Sequence, residues 1–345
     1  MIVIIIIIII IVIIIYFLIK KNYFVKESFS TDKVRGINNS NYIPIPEIKD
    51  DLNCLESLRI AGSIHKNIRK DMYSMLKPGL DIMDLSNFIN KQTRHYTKDI
   101  GYNGGIGFPP ILSMSNCIAH YSPYNKKILG KNDNLKIDFG VHVNGWIVDS
   151  AFTIHFNPEL DILSIATKDA IDNALKIVGV DTPINDVSSI INEIVESYEI
   201  KYKGSLHQLK VIDGLLGHNI LQYNIHGGIS VPNKPSNNTK RFHPGIYAIE
   251  PFVSIIDSSC VEGSERNNYR IKPEYGHNCH LYKYFNNLIF SDNHLKYYNV
   301  NIENYSMIDI YPALYGKDGD MSCQYEHTVY LDENVKEIIS QSSDY

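Results

Sequence analysis

Residues 135–154 read Leu135-Lys-Ile-Asp-Phe-Gly-Val-His-Val-Asn144-Gly145-Trp-Ile-Val-Asp149-Ser-Ala-Phe-Thr-Ile154 and predict a single β-hairpin. Asn-Gly between two runs rich in β-branched residues is the strongest short-range signal for a two-residue type I′ turn. With Asn144 and Gly145 as that turn, Gly140 faces Asp149 across the strands. Asp138 and Asp149 then project from one face as diagonal neighbours, with their Cβ atoms roughly 7 Å apart.

Two carboxylates on one sheet face allow two interpretations. As bare groups so close together they would repel, and the pKa of one would rise. If they contacted a pair of divalent cations, the cations would stabilise both charges. One interpretation is therefore a pair of metal ligands. The other is two solvated aspartates on an exposed face, and the hairpin alone does not favour either interpretation.

The overall composition argues against some kinds of partner and against some kinds of cysteine site. The chain has 345 residues and a formal net charge of −5, and no long basic patch indicates nucleic acid as a partner. Five cysteines, widely spread and without a C-x-x-C pair, argue against a disulfide framework or a zinc ribbon. They are Cys54, Cys117, Cys260, Cys279 and Cys323.

The amino-terminal segment, residues 1–21, is hydrophobic. Residues 2–19 are wholly apolar, and lysines follow at positions 20, 21 and 26. At about 1.5 Å per residue the run reaches roughly 27 Å, just enough to cross a bilayer. We expect a membrane anchor that leaves the rest of the chain in the cytoplasm, because the lysines follow the run. Two alternatives stay open: a tolerated repeat from an AT-rich genome, or a true start further downstream.

A polar linker at 22–46 and one domain at 47–345 are predicted for the remaining chain. Apolar residues at helical spacing predict a helix that starts near residue 50 and another over about 82–98. Strands are predicted between 104 and 156, helices near 160–178 and 184–198, and short strands near 208–213, 220–226, 245–255 and 323–331. Strand clusters that alternate with helix pairs indicate an α+β or α/β domain.

Three later segments each place a possible metal ligand on or beside a predicted strand. They are Gly217-His218, Tyr247-Ala-Ile-Glu250-Pro-Phe and Tyr325-Glu326-His327-Thr328. Taken singly, Glu250 and Glu326 could be edge-strand carboxylates, and His218 could be a packed histidine. Together with Asp138 and Asp149 they form an oxygen-rich set that suits two divalent cations sharing a water. Such a water loses a proton near neutral pH, so hydrolysis is the natural reaction class.

The chain resembles methionine aminopeptidase of type II from about residue 46 to residue 345. The motifs that carry the resemblance are Lys77-Pro-Gly, Gly105-Ile-Gly-Phe108-Pro, Asn116-Cys-Ile-Ala-His120-Tyr, Lys136-Ile-Asp-Phe-Gly, Gln222-Tyr-Asn-Ile-His226-Gly, Gln324-Tyr-Glu-His-Thr and Asp344-Tyr345. The resemblance implies an α+β pita-bread fold, with a curved antiparallel sheet flanked by helices. It also implies metal-dependent removal of the initiator methionine from nascent polypeptides, mainly when the second residue is small.

The resemblance further implies a role for each proposed ligand. Asp149 and Glu326 would bridge two divalent cations, which could be Co, Mn, Fe or Zn. Asp138 would chelate one cation through both oxygens, while His218 and Glu250 would hold the other. A bridging water or hydroxide would attack the first peptide bond, and Glu250 would also carry a proton to the leaving amine.

The same resemblance implies a substrate-binding set. His120 would assist at the substrate amide, and His226 would contact the bound peptide. A methionine pocket would be lined by Phe108, Ile225 and Tyr311, with His280 as a weaker match. For these last four residues, ordinary core packing is the alternative.

Two departures from the family pattern bear on function. Residues 256–308, where the family has a helical insertion, are shortened and rebuilt, and the charged amino-terminal extension of cellular type II enzymes is missing. A monomer that acts on N-terminal Met-peptides is expected. The competing hypotheses are a prolidase or aminopeptidase P, and a binding module that has the fold without the activity.

Overall fold

The computed structural model describes residues 33–49, 51–98 and 103–345. Its helices of four or more residues are α1 (Cys54–Met72), α2 (Ile82–Thr97), α3 (Asp161–Ile177), α4 (Ile184–Glu196), α5 (Tyr282–Phe285) and α6 (Asp292–Tyr298). The strands up to residue 220 are β1 (Gly104–Met114), β2 (Cys117–Ala119), β3 (Asn134–Val143), β4 (Trp146–His155), β5 (Glu199–Tyr202), β6 (Ser205–Gln208), β7 (Lys210–Val211) and β8 (Leu216–Ile220). The later strands are β9 (Ser230–Pro232), β10 (Gly245–Ile249), β11 (Phe252–Ser254), β12 (Val261–Glu262), β13 (Asn268–Ile271), β14 (Phe290–Ser291), β15 (Ile308–Tyr311), β16 (Leu314–Tyr315), β17 (Ser322–Gln324), β18 (His327–Leu331) and β19 (Lys336–Ile338).

The predicted membrane anchor at residues 2–19 lies outside the described residues. Among the residues that are described, none of the helices is long and apolar enough to cross a bilayer. All five cysteines are described, and each is a free thiol.

The predicted hairpin is confirmed in its register. Strands β3 and β4 pair antiparallel, with Gly140 opposite Asp149. Asn144 and Gly145 have φ values of 51° and 78°, as a type I′ turn requires. Strand β1 pairs with the other edge of β3, so β3 is the central strand of a three-stranded sheet.

Helices cover antiparallel sheets throughout the described domain, which accounts for the α+β class. Helix α1 packs on β3 and β4, and α2 packs on β1. Helices α3 and α4 pack on a second group of strands that includes β7, β9, β11 and β17. That group comprises a five-stranded sheet, in the order β19-β18-β10-β8-β9, and a three-stranded sheet, in the order β17-β11-β7.

The first helix starts later than the apolar spacing predicted. The side-chain oxygen of Asn53 accepts a hydrogen bond from the Glu56 N–H at 3.0 Å, and the Glu56 carboxylate accepts one from the Asn53 N–H at 3.0 Å. This capping box fixes the helix start at Cys54. The predicted start near residue 50 was therefore wrong, because it followed the apolar spacing and missed the cap.

The strand predicted at 220–226 was also wrong. Strand β8 ends at Ile220, and the chain then turns, with Tyr223 at φ 57°. The Tyr223 N–H donates to the Gly145 carbonyl at 2.7 Å, and a Cβ on Gly145 would lie 2.3 Å from the Tyr223 ring. The glycine of the hairpin turn is thus the docking point for this loop, a contact that local patterning does not reveal.

Residues 256–308 form a small unit with short helices, α5 and α6. Its sheet has the order β14-β13-β15, and its own apolar cluster includes Tyr269, Phe285 and Phe290. Strand β15 returns the chain from this unit towards the main domain.

Part of the predicted linker lies against the domain. Ile37 is buried, the Asn38 N–H donates to the Asp344 carbonyl at 3.1 Å, and Ile43 exchanges hydrogen bonds with the side chain of Asn67. Residues 33–46 therefore carry contacts to α1 and to the chain near Asp344.

A buried ion pair ties α1 to the carboxyl-terminal segment. The Arg69 guanidinium donates to both carboxylate oxygens of Asp344, at 2.7 and 2.9 Å, and the two side chains are 0% and 1% exposed. Burial alone would raise the pKa of Asp344, but the charge of Arg69 and the hydrogen bonds from Arg69 and Ser342 together outweigh it and lower that pKa. The stabilisation is therefore present at neutral pH and is lost as the pH falls through the lowered pKa.

We expect Asp344→Asn to lower the free energy of unfolding by about 3–5 kcal/mol, because Arg69 would stay buried without its counter-charge. Urea unfolding followed by circular dichroism measures the change. The matched control is Arg59→Gln, which removes an exposed pair with Glu337 at 2.7 Å. That loss should not exceed about 1 kcal/mol. Equal losses in the two variants would contradict the assignment.

Candidate active site

Five strands bring the five predicted metal ligands to one cavity. Asp138 and Asp149 come from β3 and β4, His218 from β8, Glu250 from the end of β10, and Glu326 from the junction of β17 and β18. Strands β8, β10 and β18 are neighbours in one sheet. All five side chains line the same cavity.

Backbone contacts hold the hairpin against the junction that carries Glu326. The Glu326 N–H donates to the Ala151 carbonyl at 2.8 Å, and the Asp149 N–H donates to the Thr328 hydroxyl at 2.8 Å. The Thr328 hydroxyl donates in turn to the Asp149 carbonyl at 2.6 Å. The spacing between Asp149 and Glu326 is therefore set by one main-chain hydrogen bond and by two that the Thr328 hydroxyl makes with the Asp149 backbone.

The ligand atoms are close enough to share one or two ions. Nε2 of His218 lies 3.6 Å from Oδ2 of Asp149 and 3.4 Å from Oε1 of Glu250. One atom each from Asp149, His218 and Glu326 lies within 4.8 Å of the others. The arrangement is a compact cluster of carboxylates with one imidazole.

Burial makes this cluster electrostatically costly. It raises the pKa of Asp149 to about 7, and burial together with the neighbouring carboxylates raises those of Asp138, Glu250 and Glu326 well above their usual values. Burial also lowers the pKa of His218 to about 4, so its imidazole is neutral near pH 7. Neutral imidazole and carboxylate are the forms that bind divalent cations.

The residues fit a metal site, since several carboxylate oxygens lack a protein partner. Oδ1 of Asp138, Oδ1 of Asp149 and Oε1 of Glu326 are each buried without a hydrogen bond to any described residue. Unpaired buried oxygens are rare in folded proteins because desolvation is costly. Three in one cavity, beside a neutral histidine, form a hard donor set suited to divalent cations.

Gln324 is a part of this site to which sequence reasoning assigned no role. Its buried amide nitrogen lies 3.4 Å from Oε2 of Glu250 and 3.5 Å from Oε2 of Glu326. It is a neutral donor between two carboxylates, and its hydrogen bond lowers the pKa of Glu250 against the effect of burial. The sequence did contain one signal for this role. Gln324 lies two residues before Glu326, and in an extended chain side chains two residues apart point to the same face.

The predicted substrate-binding residues lie on the walls of the same cavity. Phe108, Ile225, His120, His226 and Tyr311 all line it. The Tyr311 ring stands edge-on to the His120 ring, with centroids 5.9 Å apart, and lies 5.8 Å from the His226 ring. Burial lowers the pKa of both histidines.

His280, the weaker match, is placed elsewhere. Its Nε2 lies 3.0 Å from the Asn301 carbonyl oxygen, in a separate depression of the small unit at residues 256–308. The prediction that His280 lines the pocket was wrong. It was matched to the family by its order along the chain, and that order is unreliable where the segment is rebuilt. Five other residues of the cavity were not predicted: Ile111, Ala119, Phe252, Asn268 and Ile289. Ala119 and Phe252 lie inside the motifs of His120 and Glu250, whereas no motif indicates the other three.

Comparison with known families and sequences agrees with this geometry. Residues 56–333 match the model of metallopeptidase family M24. The chain is 35% identical to methionine aminopeptidase 2 of Komagataella phaffii, covering 85% of this chain and 71% of that protein. It is 36% identical to methionine aminopeptidase 2 of Schizosaccharomyces pombe, with coverages of 84% and 73%.

Solved structures share the fold at low sequence identity. A thermophilic Arx1 aligns with a TM-score of 0.71 at 15% identity, covering 87% of this chain and 93% of that chain. Methionine aminopeptidase from Thermotoga maritima aligns with a TM-score of 0.60 at 18% identity, covering 86% and 99%. The chain therefore belongs to the type II methionine aminopeptidases of metallopeptidase family M24, and it is a methionyl aminopeptidase with the pita-bread fold.

Proposed function

We propose that Asp138, Asp149, His218, Glu250 and Glu326 hold two divalent cations. The observation that carries this proposal is the set of buried carboxylate oxygens without protein partners in one cavity. When bound, such cations polarise a carbonyl and lower the pKa of a shared water. Co, Mn, Fe and Zn all suit these ligands, so the donor set leaves the metal open.

The other cavity residues bind and orient the peptide in this proposal. Phe108 and Ile225 are buried apolar side chains that suit a methionine side chain. His120 would hold the substrate amide, and its Nδ1 is buried without a hydrogen-bond partner among the residues that the structure describes. Glu250 would carry a proton to the leaving amine from its place beside His218.

We further propose that the substrates are nascent chains with a small second residue. The support is that the rings of His120, His226 and Tyr311 pack on one another in the wall of the cavity that Phe108 and Ile225 also line. In this proposal a large second side chain would press against these rings.

Metal binding should stabilise the fold, because cations would bind the buried carboxylates of the folded state only. At a Mn²⁺ concentration of 100 Kd the gain should be about 2.7 kcal/mol for each ion bound, seen as a rise in Tm. Glu326→Gln should lose most of this rise, whereas Glu337→Gln, at a partly exposed carboxylate that pairs with Arg59, should keep it. The same rise in all three proteins would contradict the proposed ligands.

Turnover should depend on the same carboxylates. With Mn²⁺ and a Met-Ala-Ser peptide, we expect Glu326→Gln or Asp138→Asn to lower kcat by at least about 100-fold. Parallel assays with Met-Leu-Ser and Gly-Pro peptides test the size limit and the prolidase alternative. Near-normal cleavage by either variant, or faster cleavage of Gly-Pro, would refute the proposal.

We also propose that residues 2–19 anchor the enzyme, with its catalytic domain on the cytoplasmic side. The support is an uninterrupted apolar run followed by lysines at positions 20, 21 and 26. The full chain should sediment with membranes after a carbonate wash, and a chain lacking residues 1–21 should not. Equal distribution of the two proteins between pellet and supernatant would argue against the anchor.

A further inference from the structure

His120 has a backbone conformation that is rare for a residue other than glycine. Its φ is 64°, in the left-handed region where a Cβ approaches the following carbonyl oxygen. Such conformations persist only where surrounding contacts hold them, and they cluster at functional sites. Contacts to the His120 backbone therefore decide where its ring lies in the cavity.

Asn268 makes the most direct of these contacts. Its amide nitrogen donates to the His120 carbonyl at 2.8 Å, and its amide oxygen accepts from the Ser122 hydroxyl at 2.8 Å. The Asn268 side chain is buried and lines the same cavity as His120. One amide thus holds the chain on both sides of residue 121.

The Asn268 backbone is itself held on both sides. On strand β13 it pairs with Ser291 of β14 and with Tyr311 of β15. The Tyr311 ring stands at 86° to the His120 ring. The same small sheet therefore contacts both the backbone and the ring of His120.

Two further asparagines of this unit bind the same loop further along. The side chain of Asn267 donates to the Ser122 carbonyl at 2.7 Å, and that of Asn293 donates to the Pro123 carbonyl at 3.1 Å. The three side-chain amides thus donate to the carbonyls of His120, Ser122 and Pro123, at increasing distance along the chain from His120. Asn293 is therefore a matched control, since it makes the same kind of bond to the same loop.

We propose that Asn268 is a positioning residue that holds the His120 backbone in its left-handed conformation. The inference deepens the proposed function and rests on the role of His120 at the substrate amide. Asn268 acts through His120, so its loss changes turnover more than peptide or metal binding.

The test uses the full chain loaded with Mn²⁺ and the variants Asn268→Asp and Asn293→Asp. Aspartate keeps the shape and the acceptor for Ser122 but loses the N–H that reaches His120. We expect Asn268→Asp to lower kcat on Met-Ala-Ser by about 10- to 100-fold, as misplacement of a catalytic group does. Mn²⁺ affinity should stay within about twofold, because His120 is not among the proposed ligands. KM should change less than kcat, because Phe108 and Ile225 would still hold the methionine side chain.

A second readout does not depend on catalysis. Hydrogen–deuterium exchange across residues 119–123 should be faster in Asn268→Asp than in the wild type or in Asn293→Asp. Asn268→Leu, which cannot donate in any protonation state, should behave like Asn268→Asp. If one of the two variants fails to fold, the other decides.

Unchanged kcat and exchange in a folded Asn268 variant would overturn the inference. An equal kcat loss in Asn293→Asp would also overturn it, since the effect would then be general docking of the loop. If the wild type itself does not cleave Met-Ala-Ser, the proposed function fails, while exchange still decides whether Asn268 holds the loop.

Discussion

Burial of four carboxylates around one cavity is the constraint on which this structure depends. Each loses hydration, and each raises the cost of ionising its neighbours. Gln324 and the neutral imidazole of His218 each contact two of them. Three of their oxygens still lack a protein partner among the described residues. A chain without cations would relieve the repulsion by holding protons on the cluster. The rigid strands matter because they keep the oxygens together despite that repulsion.

The turn at Asn144 and Gly145 has two consequences for this cavity. It sets the hairpin register that places Asp138 and Asp149 on one face. Its carbonyls also accept hydrogen bonds from the 221–226 loop, including that of the Tyr223 N–H. That loop carries Ile225 and His226 to the cavity wall. A single turn therefore relates two carboxylates to two substrate-binding residues that come much later in the chain.

The parts that could be predicted from the sequence are those with local causes. The hairpin register follows from turn chemistry and alternation, and helices α2, α3 and α4 follow from apolar spacing. The loop at 221–226 could not be predicted, because its conformation depends on a distant glycine. Neither Gln324 nor Asn268 belongs to a residue type that signals catalysis. Gln324 had one signal, its position two residues before Glu326, whereas only proximity in space reveals Asn268. The prediction for His280 was wrong because, in a rebuilt segment, the order of residues along the chain does not give their position in the fold.

The unit at residues 256–308 departs most from the family pattern, yet it is not remote from the chemistry. Its β13–β15 sheet carries Asn268 and Tyr311, and Ile289 lies just before β14 on the cavity wall. The unit has its own apolar cluster. Repacking that cluster would therefore shift the pocket wall and the support of His120 together. The proposed metal ligands come from other strands and would keep their places. Changes in this unit can thus alter the pocket wall and the support of His120 without moving the proposed ligands, so a rebuilt segment is compatible with the full ligand set.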